Sequence, residues 1–292
     1  MSMLEAHFAP FRRQIVGIDQ SFHSPYGEFP IVYADWIASG RLYGPIETIL
    51  SDVMGPFVGN THTETSVTGT SMTHAYHEAR KIIKRHVGAN DNDVIIAAGS
   101  GMTGVINKLQ RILGVRIPEQ AQPFVSIPKE AQPVVFITHM EHHSNQTTWL
   151  EAEVELVCID PDQNGLCAVE NLRQEIVKYP GRKLIGSFTS CSNVTGVHTP
   201  YYELARVMHE HGGMCFVDFA ANAPYEDINM HPGDPLECLD AIFFSPHKFL
   251  GGPGSSGIMV FNAVLDKNTV PDHPGGGTVD WTNPWGEHKF VS

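Results

Sequence analysis

A lone lysine closes the segment Phe243-Phe244-Ser245-Pro246-His247-Lys248, and Gly251, Gly252 and Gly254 follow it. A buried strand that delivers an amine into such a turn desolvates it in part. Desolvation lowers the pKa and leaves the amine nucleophilic. Ser245 and His247 flank the lysine and can donate hydrogen bonds to an anion, and the glycines let backbone approach a ligand. A solvated lysine in a surface loop is the plain alternative. An aspartate closes a second apolar run, Met214-Cys215-Phe216-Val217-Asp218. A carboxylate there is expensive to bury without a cationic partner. A pyridinium N–H would be a suitable partner, because the pair keeps the ring nitrogen protonated. A helix N-cap or a metal ligand are the alternatives for the same side chain.

Three further segments follow apolar runs. In Thr138-His139-Met140-Glu141-His142-His143-Ser144-Asn145, His142 could lie flat on an aromatic ring and serve as an acid or base. The rival is a metal site built from His139, His142 and His143, the footing for a metal hydrolase. Adjacent histidines at a strand end rarely point the same way, and no matching carboxylate set is visible, so no metal is expected. Ala98-Gly99-Ser100-Gly101-Met102-Thr103-Gly104 lies between a strand and a helix, where exposed N–H groups and the helix dipole form an anion cradle. It also fits G-x-G-x-x-G, which would support a nicotinamide (NAD)-binding oxidoreductase. The acidic residue that this fingerprint places about 20 residues on has no clear counterpart. A single phosphate around Ser100, Gly101 and Met102 is the better reading. In Ser190-Cys191-Ser192-Asn193-Val194-Thr195-Gly196, Asn193 could hydrogen-bond a phenolic oxygen, or simply serve the turn.

These segments need a scaffold that brings them to one edge. Short apolar runs at 94–98, 134–138, 154–159, 184–189, 214–217, 241–244 and 257–261 alternate with helical patterns at 102–113, 144–150, 168–178 and 202–211. Continuous apolar strands alternating with helices predict an α/β fold: a mostly parallel seven-stranded sheet with helices on both faces. Ligands in such sheets bind beyond the carboxyl ends of the strands. Helical patterns also occur at 45–54 and 72–86, the latter stopped by Gly88 and Asn90. Residues 1–40 read as irregular, and 114–132 as a Pro- and Gln-containing surface loop.

Composition bounds the rest. With 42% apolar and 17% charged residues the chain is an ordinary soluble type. A net charge of -13 argues against a nucleic-acid or anionic-membrane surface. No apolar run reaches the ~18 residues a membrane helix needs. The start of the chain lacks a secretory pattern, and Cys158, Cys167, Cys191, Cys215 and Cys238 form no C-x-x-C pair. The cytoplasm, with free thiols, is the simplest expectation.

In this order the segments resemble the large domain of a fold-type I pyridoxal 5'-phosphate (PLP) enzyme, of the class V aminotransferase superfamily that includes cysteine desulfurases. Ser245-x-His247-Lys248 resembles the family's Schiff-base motif, with Ser245 and His247 as phosphate contacts. Glu141-His142-His143-Ser144-Asn145 resembles its E-H-H-x-N segment, in which the first histidine of the pair stacks on the ring. Ser192-Asn193-Val194-Thr195-Gly196 resembles its S-N-x-x-G segment, and Asp218 matches the pyridine partner. The glycine-rich turn at Ser100, Gly101 and Met102 stands where the family binds phosphate.

The early segment Tyr33-Ala34-Asp35 with Ala38-Ser39-Gly40 resembles the substrate-side turn, and Asn60-x-His62 an active-site segment. Ser39 and His62 are therefore expected near the substrate. Gly275-Gly276-Gly277-Thr278 resembles a loop near a dimer interface. The resemblance implies an enzyme acting on a small amino acid, with Lys248 and His142 catalytic, in a homodimer. Cysteine desulfurase or selenocysteine lyase chemistry is the nearest precedent, and a class V aminotransferase of other specificity is the alternative. Where desulfurases usually carry a glutamine, three residues after Asp218, this chain has Ala221, with Asn222 beside it facing the other way. The domain expectation is an N-terminal segment at 1–40, a PLP-binding large domain at 41–265, and at 266–292 the start of a connection to a small domain that the chain lacks. A catalytically incomplete fragment is a further alternative.

Overall fold

The computed structural model describes residues 2–61, 63–125 and 127–291. In chain order the regular elements begin with helix α1 (Met3–Arg12), hairpin β1 (Ser21–Ser24) and β2 (Gly27–Pro30), α2 (Gly44–Thr48) and α3 (Val67–His86). The central unit follows as β3 (Asp93–Ala98), α4 (Met102–Ile112), β4 (Val134–Thr138), α5 (His143–Leu150), β5 (Glu155–Ile159), α6 (Val169–Ile176), β6 (Leu184–Thr189), α7 (Tyr201–Glu210), β7 (Met214–Asp218), β8 (Ala241–Phe244) and β9 (Gly257–Asn262). A second hairpin, β10 (Val279–Thr282) and β11 (His288–Phe290), comes last.

Seven strands form one sheet in the order β3-β9-β8-β7-β6-β4-β5. β9 runs antiparallel to both its neighbours, and the other pairings are parallel. All seven apolar runs of the sequence become these strands, with ends shifted by a residue at most. The strands feed two cores by alternation. Val134, Phe136, Leu184, Phe188, Ile242 and Phe244 face one core with α6 and α7. Val135, Ile137, Ile185, Ala241 and Phe243 face the other with α4 and Trp149 of α5. Period-two alternation in which both faces are apolar is what a sheet covered on both sides requires.

The sequence reading missed structure at the two ends. Residues 1–40 are not irregular: they hold α1 and the β1–β2 hairpin. The reason is energetic. α1 has no buried residue, and Met3 is 92% exposed. A segment that buries nothing imposes no periodicity on its sequence. α3 starts earlier than the pattern at 72–86, because Ser66 caps it by accepting from the Gly69 N–H at 3.1 Å. The helical pattern at 45–54 divides into α2 and a π-helical turn, Ile49–Met54.

Candidate active site

Five of the parallel strands end in the segments that the sequence singled out. β3 runs into Gly99-Ser100-Gly101 and α4; β4 into residues 139–142 and α5; β6 into residues 190–193; β7 ends on Asp218; and β8 leads to a 3-10 turn, Pro246–Lys248. These ends surround a cavity of about 670 Å³. Ser100, Gly101, Met102, His142, Asn193, Asp218, Ser245, His247 and Lys248 all line it. Nine expected residues, spread over 149 positions of sequence from 100 to 248, thus meet in one space.

Close backbone packing builds the anion-facing wall. Gly99 adopts a left-handed φ of 61°, which favours glycine, and opens the turn into α4. A Cβ on Gly257 would stand 2.0 Å from the Gly101 carbonyl oxygen, so β9 can pass this turn only as glycine. The Met102 N–H donates to Ser245 Oγ at 2.9 Å, tying the start of α4 to the lysine turn. Thr103 Oγ1 and Ser144 Oγ lie 2.7 Å apart and join α4 to α5. Neither hydroxyl was on the sequence list of site residues, although both line the cavity.

The N-terminal segment closes another side. The Gly40 N–H donates to the His247 carbonyl at 2.8 Å and the Gly251 N–H to the Arg41 carbonyl at 2.7 Å. A Cβ on Gly40 would fall 1.9 Å from the Phe249 carbonyl oxygen. This tight seat brings Asp35, Ile37 and Ala38 to the cavity. Ser39 is not among the lining residues: its hydroxyl turns back to the carbonyls of Gly40 and His247 at 3.2 and 3.4 Å. His62 lies outside the described residues.

Burial governs the charges. It lowers the pKa of Lys248, and the neighbouring carboxylates of Asp218 and Asp35 offset only part of that effect. Burial pushes Asp218 up to about 6, against the Ala220 N–H donated at 2.9 Å and the Lys248 ammonium. His142 and His247 are both lowered, first by burial and then by Lys248, so both rings are neutral at physiological pH. His142 caps α5, its Nδ1 accepting from the Ser144 N–H at 3.2 Å. The lysine can thus be an amine, and the aspartate is a carboxyl in want of a cation.

The rival readings meet specific obstacles. His139 Nε2 pairs with the Gly165 carbonyl at 3.0 Å, and among the described residues no group of three metal-binding side chains converges. The glycine turn opens α4, but β3 pairs with antiparallel β9 and α4 leads to β4, four places beyond β9 in the sheet. That is not the adjacent parallel βαβ unit of a dinucleotide fold. Asn222 does face away from the cavity, accepting from Ser190 Oγ at 2.5 Å and donating to Glu226, while Ala221 lines it. Among the described lining residues there is no cysteine. Cys191 is buried, and burial followed by Glu226 raises its thiol pKa.

A mostly parallel sheet of this order, with a lysine, an aspartate and a histidine at its carboxyl edge, defines a PLP-dependent transferase fold. The family model "Aminotransferase class-V" matches residues 33–290, and the chain belongs to that family, whose enzymes depend on PLP. Among curated proteins, a probable cysteine desulfurase of Halalkalibacterium halodurans is 27% identical over 256 residues, covering 86% of this chain and 58% of that one. A cysteine desulfurase from Thermococcus onnurineus superposes with a TM-score of 0.70 at 21% identity, over 97% of this chain and 64% of that one. The desulfurase CsdA from Escherichia coli gives 0.68 at 20%, over 97% and 65%. The chain therefore spans about three-fifths of the length of these relatives. Among the described residues, no helix is long and apolar enough to cross a membrane.

Proposed function

We propose that this chain is the cofactor-holding part of an enzyme that removes sulfur from a cysteine-like amino acid, with PLP bound to Lys248. The observation that carries the reading is the pairing of a desolvated Lys248 with a buried Asp218 at neighbouring strand ends of one cavity. The relatives named as cysteine desulfurases support the substrate class.

Two observations support the fit of the cofactor. The glycines at 101 and 257 leave a wall on which Ser245 Oγ and His247 Nε2 stand 3.3 and 3.4 Å from where a Gly101 side chain would begin. A phosphate would meet there the helix N-terminus, the hydroxyls of Ser100 and Ser245, and His247. Asp218, 3% exposed and pushed up by burial, would pair with a ring N–H as a cationic partner. When bound, PLP supplies an electrophilic carbon and an electron sink.

The chain's own groups divide the remaining work. Lys248 Nζ is the amine for the cofactor's carbonyl carbon, and as the free base it can take a proton from a substrate carbon. His142 would lie against the ring and, neutral with Nδ1 accepting from the Ser144 N–H, carries its proton on Nε2, from which it can donate. Asn193 would meet a phenolic oxygen. Asp35, brought by the N-terminal turn, places a negative charge on the substrate side, where Ser39 would act only through backbone seating. We take residues 41–265 as the PLP-binding unit with 1–40 as a contributing segment, since Asp35, Ile37 and Ala38 lie on the cavity; residues 266–292 would be the connection beyond it. A homodimer in a reducing cytoplasm completes the reading. Exposed Phe8 and Phe11 on α1 support the dimer, and the free thiols support the compartment.

The test is direct. Purified protein incubated with PLP is expected to gain a visible absorbance band that borohydride removes, with the reduced adduct on the peptide containing Lys248. Sulfide and alanine released from cysteine would establish the reaction. A protein that stays colourless with added PLP would overturn the assignment. A coloured protein that releases neither product would favour a holding unit that needs further chain for turnover. One observation favours that second reading: among the described lining residues there is no arginine for a substrate carboxylate.

A further inference from the structure

Ser144 Oγ touches two side chains of the cavity wall. It lies 2.7 Å from Thr103 Oγ1 and 3.2 Å from His142 Nδ1, and all three residues line the cavity. The Ser144 N–H also donates to Nδ1 at 3.2 Å, so that nitrogen is an acceptor in the neutral ring. A hydroxyl has a single hydrogen, which sets the direction of the chain: Ser144 Oγ donates to Nδ1 and accepts from Thr103 Oγ1. A second tie between α4 and α5 holds these distances. Gln110 Nε2 donates to Thr148 Oγ1 at 3.0 Å, and Thr148 Oγ1 donates to the Ser144 carbonyl at 2.7 Å. Both side chains of that tie are buried. On α4 itself, Asn107 Nδ2 donates to the Thr103 carbonyl at 2.9 Å.

A backbone N–H and a hydroxyl differ as partners of a ring nitrogen. The Ser144 N–H can only donate, so it opposes a proton on Nδ1. The Ser144 hydroxyl can turn. When Nδ1 takes a proton, Oγ accepts from the new N–H and gives its own hydrogen to Thr103 Oγ1. That bond starts from a charged ring, and a charge-assisted hydrogen bond is about twice as strong as the neutral one it replaces. Burial, Lys248 of the lysine turn and the adjacent His143 all work against the charged ring. Asp218, His247 and Asp35 lie on the same cavity, and the Glu141 carboxyl next in the chain is taken up by Thr138 and Asn145. The Ser144 hydroxyl is thus in direct contact with Nδ1 and favours its protonation.

We propose that Ser144, backed by Thr103, is a positioning residue for His142: its hydroxyl donates to the resting ring and turns to accept once Nδ1 is protonated, so the nitrogen that rests as an acceptor can also hold a proton. The use of that proton in turnover rests on the PLP reading. The hydrogen bonding of the ring does not.

The experiment follows the ring nitrogens of labelled histidines by NMR against pH in cofactor-free protein, with His142→Gln identifying the signals. The neutral His142 ring is expected to carry its hydrogen on Nε2. Ser144→Ala keeps the backbone N–H and removes the hydroxyl. It should shift the Nδ1 signal of the neutral ring towards that of an unbound acceptor. It should also lower the His142 midpoint by about half to one pH unit, the difference between a charge-assisted and a neutral hydrogen bond. Thr103→Val should move both readings the same way by less, and Ser144→Thr, which restores the hydroxyl, should return them towards wild type. Either a midpoint unmoved in Ser144→Ala or a neutral ring with its hydrogen on Nδ1 overturns the proposal, whatever happens to melting temperatures. The expected shifts in a protein that takes up no PLP sustain it and overturn the proposed function instead.

Discussion

Two aspartates near the ends of the molecule's elements are held in opposite ways. Asp272 lies in the connection after β9, where Arg111 Nε and Nη2 donate to it at 2.7 and 3.1 Å and Lys108 Nζ at 3.0 Å. Burial pushes its pKa up, but the hydrogen bonds from Arg111, Lys108 and His273 prevail and hold it well below the usual carboxylate range. Asp218 lies at the end of β7 with one backbone donor and a lysine that is itself desolvated, and its pKa rises. The first aspartate is satisfied within the chain and fastens the connection to α4. The second is left short of a cation, which is the condition of a binding site and not of a brace.

The sharpest break of this comparison is at the lysine. Lys248→Ala should abolish the borohydride-stable adduct and lower turnover by about 10³-fold or more, as loss of a nucleophile does. Retained adduct elsewhere would show that the cavity uses another amine. Asp218→Asn should weaken PLP binding by about 10- to 100-fold, the worth of a hydrogen bond to a charged group.

The same substitution sharpens the contrast through stability. The folded pKa of Asp218 stands above its ordinary 3.8, at about 6, so the folded state binds more protons between those values. Stability of the cofactor-free protein therefore falls as pH rises through that window, and Asp218→Asn should remove this fall in urea melts. Asp272 has the reverse sign. Its stability is present above the unfolded carboxylate pKa and is lost as pH falls towards the lower folded value. Asp272→Asn should thus cost about 1–3 kcal/mol at neutral pH and little in acid, with the PLP band unchanged. If Asp272→Asn weakened PLP binding as Asp218→Asn does, brace and site would not be separable. The smallest effect is expected at Ser245, where Ser245→Ala should lower PLP affinity about three- to tenfold in equilibrium dialysis.

The seven strands were legible because each is apolar on both faces, a pattern that survives without knowledge of neighbours. Nine of the eleven expected site residues line the cavity, since each follows a strand whose end was identifiable. Ser39 was misplaced because a motif gives the position of a turn but not the direction of its hydroxyl. Asp35, Thr103 and Ser144 were quoted only as members of motifs. Their place on the cavity depends on Gly40 meeting His247 and on α4 meeting α5, contacts between segments more than 200 and 40 positions apart, respectively. α1 and the two hairpins left no trace because they bury almost nothing.

By itself the sequence determined the elements and the chemical types at their ends. Hydrophobic periodicity and side-chain chemistry are local properties, and a lysine or aspartate closing an apolar run keeps its meaning wherever the strand goes. Only the tertiary structure decided that β9 returns antiparallel between β3 and β8, that Asp218 and Lys248 share a cavity, and that the Gly40 N–H meets the His247 carbonyl. Those are matters of strand order and desolvation. Both arise from which distant segments pack together, and neither is written in the spacing of residues along the chain.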